Sequence, residues 1–161
     1  MPGEARQFAS VLERIALGAL AQFDDMTDAD LNRSLELPES NTVFALATHL
    51  IGSAEYWVLQ LAGGRDVQRD RLSEFHATGT GAELVARYER WLAAMYEVMH
   101  ALPDERLDQQ VNLPAHYHTR YLGETRTVRD ALLHAVEHCA LHLGHLEITR
   151  QLLGYAPAGA Q

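Results

Sequence analysis

The sequence holds no lysine: all thirteen of its basic residues are arginine. That points to a GC-rich genome and says nothing about function. Basic charge is scarce as a whole, with 13 basic residues against 22 acidic ones and a formal net charge of −9. A chain of this balance lacks the basic surface that general nucleic-acid binding needs. Cysteine is nearly absent. Cys139 is the single one, which excludes an intramolecular disulfide framework and suits a reducing cytoplasm. No basic start followed by an apolar run and a small-residue cleavage site is seen, so no signal peptide is expected. The longest apolar runs are too short to span a bilayer. Internal repeats and low-complexity segments are absent as well.

What is present is periodicity. The 161 residues, 47% apolar and 22% charged, fit one soluble domain with a real core. Four long stretches carry apolar residues at the three-and-four spacing of a helical face. The first spans roughly Glu4 to Phe23, with Phe8, Val11, Leu12, Ile15 and Ala19 on one side. The second starts after Ser40 or Asn41, either a good N-cap, and ends at Gly63-Gly64. Its stripe is Val43, Leu46, Ala47, Leu50, Ala54, Trp57, Val58 and Leu61. The third opens at Thr80 with Glu83 three residues on, the spacing of a capping box, and stops at Pro103. The fourth opens at Thr127, with Asp130 three residues on, and stops at Gly154. The expected fold is all-α, a four-helix bundle, in one domain over 1–161, with a C-terminal tail from about residue 155 expected to be disordered. The connection from Pro103 to Arg126 is long for a bundle loop. It mixes β-formers with Pro and Gly, as functional loops and short hairpins do.

The last helix holds four histidines: His134, His138, His142 and His145. At about 100° per residue, with His134 at zero, His138 falls near 40°, His142 near 80° and His145 near 20°. All four share one narrow stripe. Val128, Ala135, Cys139, Leu146 and Leu153 lie at or beyond His142, on the buried side. His138 and His142 therefore lean inward, and His134 and His145 sit at the edge. Residues four apart have side chains about 5–6 Å apart, so two imidazoles at that spacing can converge on one metal. The competing reading is a set of buried histidines that only hydrogen-bond. Four on one stripe weigh against it, because unpaired buried imidazoles are costly and a metal supplies a partner.

Two familiar motifs fail. "HAVEH" spells the inverted zinc-protease pattern, but Glu137 falls on the wet arc. A di-iron bundle needs two Glu-x-x-His motifs on separate helices, and only "EVMH", Glu97 to His100, is found. A third ligand must come from another helix, and His49 is the candidate. It shares a stripe with Ala45, Gly52, Ser53 and Tyr56. Small neighbours leave space for a metal with an open position, or they simply allow close helix packing.

With these residues in view, the sequence resembles the DinB-like (YfiT-like) metalloenzymes, close to the branch of mycothiol- and bacillithiol-dependent S-transferases. The family pattern is a helical His preceded by an Asn-Ser/Thr start and followed by a Trp about two turns on, matched by Asn41-Thr42, His49 and Trp57. Its second motif, His-x-x-x-His-x-Gly, appears as "HCALHLG", His138 to Gly144, and the closing "EITRQLLG" fits too. The resemblance runs from the first helix to Gly154. It implies His49, His138 and His142 as metal ligands, with a divalent transition metal, zinc or nickel, as cofactor. Many members carry Arg after the last ligand, then Gly and Gln. Leu143, Gly144 and His145 stand here, so roles resting on that Arg and Gln do not carry over.

Three histidines leave room at a divalent ion for water or a thiol, whose pKa the ion lowers. The resemblance thus implies an S-transferase or isomerase that uses a low-molecular-weight thiol on a small-molecule substrate. A non-catalytic metal or small-ligand binding protein, such as a stress or sensor module, is the alternative. No catalytic residue is assigned. Tyr56, His134 and His145 are candidates for the pocket or for groups behind the ligands. His116, Tyr117, His118, Arg120 and Arg126 could line a mouth in the long loop. Cys139 reads as packing, and Trp57 and Trp91 as core. A homodimer is implied by the resemblance alone. Neither nucleic acid nor membrane is an expected partner, and the expected location is the cytoplasm.

Overall fold

The structure is a computed structural model of the chain, described here for residues 3–113 and 125–159. Four long helices dominate it: α1 (Gly3–Ala21), α3 (Val43–Ala54), α5 (Gly81–Ala101) and α6 (Val128–Leu152). Short helices α2 (Asp28–Leu31) and α4 (Arg71–Glu74) lie in the connections. Helix α1 packs on α5 and α6, and α3 packs on the same two. The long helices so form a four-membered ring around one apolar core, the bundle expected from the periodicity.

Local sequence sets the helix ends. Thr42 caps α3, its hydroxyl accepting from the Ala45 N–H at 3.1 Å. The cap is thus one residue later than Asn41 and two later than Ser40, because it is Thr42 whose oxygen lies three residues before a free helix amide. Thr80 and Glu83 form a full capping box on α5, and Thr127 and Asp130 form one on α6. The connection ahead of α6 does contain a small hairpin-like pair. Strand β1 (Gln110–Asn112) runs antiparallel to β2 (Thr125–Thr127), with Val111 opposite Arg126. The Val128 and Arg129 N–H groups, which have no partner inside α6, donate to the Gln109 and Leu107 carbonyls at 2.9 Å each.

Helix α3 is buried on every side: all twelve of its residues are inside. A helix hydrophobic all round belongs at the centre of a core. It continues beyond Ala54 as a π-helical run, Glu55–Ala62, closed where Gly63 N–H reaches the Val58 carbonyl five residues back at 2.9 Å. Gly63 then meets α5 so closely that a Cβ there would lie 2.6 Å from Val98. The helix ends at the predicted glycine pair, but with a wider last section than a plain α-helix. The Tyr88 hydroxyl of α5 donates to the Ala47 carbonyl at 3.0 Å, tying the two helices together two residues before His49.

Beyond α6, the Arg150 guanidinium donates to the Ala156 carbonyl at 2.7 Å, and the Tyr155 hydroxyl to Asp30 at 2.7 Å. No described helix is long and apolar enough to cross a membrane.

Candidate metal centre

Two helices bring three histidines together. His49 lies mid-way along the buried α3, and His138 and His142 lie one turn apart on the face of α6 that packs on it. Ring centroids are 5.1 Å apart for His49 and His138, 4.6 Å for His49 and His142, and 4.4 Å for His138 and His142. One ring nitrogen from each falls in a group whose members all lie within 4.8 Å of one another. Bonds of about 2.0–2.1 Å at tetrahedral angles would put such nitrogens roughly 3.3 Å apart, so a modest closure of the rings suffices to hold one ion. The donor set fits a borderline-soft divalent metal. The Nδ1 of His138 is buried without a hydrogen-bond partner among the described residues, an orphan of the kind a bound cation relieves.

The electrostatics keep these rings in the form that ligates. Burial pushes the His138 imidazole down to about 2, with the charges of His142, His49, His134 and Arg69 adding to the effect. Burial likewise pushes His142 down to about 4, helped by His49, His145 and Arg71. Both are neutral at pH 7, and a neutral imidazole is the ligand. The same burial lowers His134, against a raising effect from Glu137.

His49 is braced from behind. Its Nδ1 lies 2.7 Å from Glu74 Oε2, within hydrogen-bond distance, with the two side chains only 2% and 6% exposed. Arg69 in turn donates to both Glu74 oxygens, Nε to Oε1 at 2.7 Å and Nη2 to Oε2 at 3.0 Å. Burial raises the Glu74 carboxyl, but the hydrogen bonds from His49 and Arg69 outweigh it and leave its pKa below the ordinary value. Gly52 explains how the carboxylate gets so close: a Cβ there would sit 2.3 Å from Glu74 Oε1. The space that the small residues beside His49 leave is therefore partly filled by this carboxylate. Phe75, next in the chain, lays its ring 4.4 Å from that of His49, with the Arg71 guanidinium 5.3 Å above it.

The remaining sequence candidates divide by position. His134 stacks on Trp57 at 4.3 Å and stands 5.6 Å from His138. His145 is exposed, and its Nδ1 lies 3.3 Å from that of His142. Tyr56 is buried in the π-helical run, with Arg69 6.0 Å from its ring centre. Arg126 is in β2, and its charge is felt at His134. His116, Tyr117, His118 and Arg120 lie outside the described residues. Glu137 is exposed, which removes the inverted zinc-protease reading. Cys139 is buried, its thiol pushed up to about 12 by desolvation, so it is no nucleophile at neutral pH. Trp57 and Trp91 are core.

Glu74 and Arg69 were not visible in the sequence. Helix α4 is four residues long, too short for periodicity to mark, although Asp70 caps it by accepting from Leu72 and Ser73 N–H. The one available signal was Gly52: a glycine inside an apolar helix marks a close approach by something.

Known proteins carry the same architecture. A DinB-like protein from Bacillus cereus ATCC 10987 superposes with a TM-score of 0.73 over 96% of this chain and 95% of its own, at 15% identity. A conserved protein from Enterococcus faecalis does so with a TM-score of 0.71 over 95% of this chain and 98% of its own, also at 15% identity. At such identity the likeness speaks for the fold alone. No curated protein matches the chain in sequence. A family model does, that of the mycothiol-S-transferases, over residues 7–154. With the bundle, the two histidine motifs and that match in agreement, the chain belongs to the mycothiol-S-transferase family, on the DinB-like fold.

Proposed function

We propose that the protein is a metal-dependent enzyme of thiol transfer or thiol-assisted isomerisation. In this reading His49, His138 and His142 hold a divalent ion, zinc or nickel, and the substrate is a small molecule. The observation that carries it is the convergence of three imidazoles, two of them held neutral by burial, with no fourth His, Cys or carboxylate completing the group among the described residues. Three protein ligands and an open position is the arrangement of catalytic rather than structural zinc. When bound there, the ion lowers the pKa of a thiol or water at the open position, making the nucleophile available near neutral pH.

The chain's own residues do the rest. His49, His138 and His142 bind; Glu74 stands behind His49; apolar core on the α3 side excludes water. Cys139 takes no part, so the nucleophilic thiol comes from a low-molecular-weight cofactor, the class the family description supports. Such a thiol implies a reducing compartment, in which the lone buried cysteine also persists. We carry the homodimer over from the family resemblance, and sedimentation velocity on purified protein checks it by mass.

Elemental analysis of protein purified without a histidine tag tests the core claim. About one equivalent of zinc or nickel after reconstitution is expected, and less than about a tenth of an equivalent would overturn it. A screen with several low-molecular-weight thiols and a reactive electrophile then tests the chemistry. The alternative, a non-catalytic binding protein, has His134 in its favour, since that ring stands near His138. A metal-loaded structure separates the two readings: an exchangeable water at the fourth position marks an enzyme, and His134 there marks a closed binding site.

A further inference from the structure

The connection between α3 and α5 buries two opposite charges that three histidines alone do not require. Arg69 and Glu74 are both sealed from solvent, their side chains 6% exposed each. A buried ion pair is weak evidence for stability, because desolvation opposes the attraction. What this pair does is hold a ligand. The Glu74 carboxylate can only accept hydrogen bonds, so the proton in the 2.7 Å contact sits on His49 Nδ1. A neutral imidazole has one N–H, and the lone pair is then on Nε2. Two donations from Arg69 fix the carboxylate itself. Gly52, three residues after His49 on the same helix, supplies the room.

The geometry points to Glu74 as the positioning residue of the His49 ligand, setting both the tautomer and the ring orientation that present Nε2 to the ion, with Arg69 as its clamp. This assignment rests on the three-histidine site proposed above. Among the described residues no carboxylate supports the other two ligands in this way. His138 Nδ1 has no partner among the described residues, and His142 Nδ1 meets only another histidine, the exposed His145. The centre is therefore asymmetric, one ligand fixed by charge in the core and two carried on the surface-facing helix. A carboxylate behind a histidine ligand also raises the ring's basicity, which strengthens the bond it makes.

The test has two readouts. In metal-free wild-type protein near pH 7.5, long-range proton–nitrogen NMR is expected to show His49 protonated at Nδ1. Zinc affinity, measured by competition with a chromogenic chelator, is expected to weaken by about 10–100-fold in Glu74→Gln, because one amide cannot satisfy Arg69 and His49 together. Gly52→Ala keeps Glu74 but places a methyl 2.3 Å from its oxygen, and is expected to weaken zinc binding as Glu74→Gln does and to move the His49 ring signals from their wild-type positions. Arg65→Ala, at the exposed Arg65–Glu97 pair, is expected to change neither.

A wild-type His49 protonated at Nε2 overturns the assignment. So does zinc affinity within about twofold of wild type in folded Glu74→Gln and Gly52→Ala proteins. If Glu74→Gln does not fold, Gly52→Ala and the wild-type tautomer decide. Should the wild-type protein bind neither zinc nor nickel, the metal reading falls, while the tautomer measured without metal still decides whether Glu74 holds the ring.

Discussion

Acidifying the metal-free protein should destabilise it through its histidines well before its carboxylates matter. In the unfolded chain a histidine takes up its proton near pH 6.5. In the folded chain His142 waits until about 4 and His138 until about 2. Folded pKa values below the unfolded ones mean that the unfolded state binds more protons in this window. Stability is then full above pH 6.5 and falls as pH drops towards 4. Two such groups give a limiting slope of about 2.7 kcal/mol per pH unit, and a loss of roughly 4 kcal/mol between pH 7.5 and 5. Both rings are only half-buried, and solvent screening reduces the figure to about 2 kcal/mol. His134 shifts in the same direction and adds to the loss. The assay is urea unfolding of chelator-treated protein at pH 7.5, 6.5, 5.5 and 5.0, analysed at constant slope. The double variant His138→Asn, His142→Asn should flatten the dependence. A wild-type midpoint that stays constant over this range, or an unchanged slope in the double variant, would refute the burial argument for these rings.

Three further outcomes follow from the same contacts. Gly144 lies inside α6 with nothing within 4 Å of an added Cβ; Gly144→Ala should therefore stabilise by about 0.8–1 kcal/mol, a rise in Tm of about 2–4 °C by calorimetry. Cys139 should resist iodoacetamide in the native protein at pH 8 and react only after unfolding, since its thiol is buried and pushed up to about 12; rapid native labelling, followed by mass spectrometry, would contradict its position. Arg150 is buried, donating to the Gln22 carbonyl at 2.9 Å and pairing with Asp25. Arg150→Leu should cost about 2 kcal/mol in urea unfolding, since the carbonyl is left without its donor.

How far the sequence carried these conclusions depends on the range of each interaction. Thr80 with Glu83 and Thr127 with Asp130 announced helix starts because a capping box is complete within four residues. His138 and His142 announced a common face because one helix holds both. His49 was harder: its meeting with α6 crosses about ninety positions, and only its small neighbours and the family pattern marked it. Glu74 was out of reach. It touches His49 from a four-residue helix, 25 positions away, and nothing local separates it from the other acidic residues. Gly52 carried the signal in part, but a gap in a side-chain stripe does not say what fills it.

The π-helical run Glu55–Ala62 holds more residues per turn than the α-helix it continues. Its hydrogen bonds close over one extra residue, so the angular phase of the chain drifts from Glu55 onwards relative to an unbroken α-helix starting at Val43. Relatives that lack the wide turn will place the same side chains with one residue fewer. Any comparison that slides His49 onto its counterpart will then run out of step at Leu59 and Leu61 unless a one-residue gap is set inside this stretch. The helix thus has two reading frames, one keyed to the histidine and one to the glycine pair at its end.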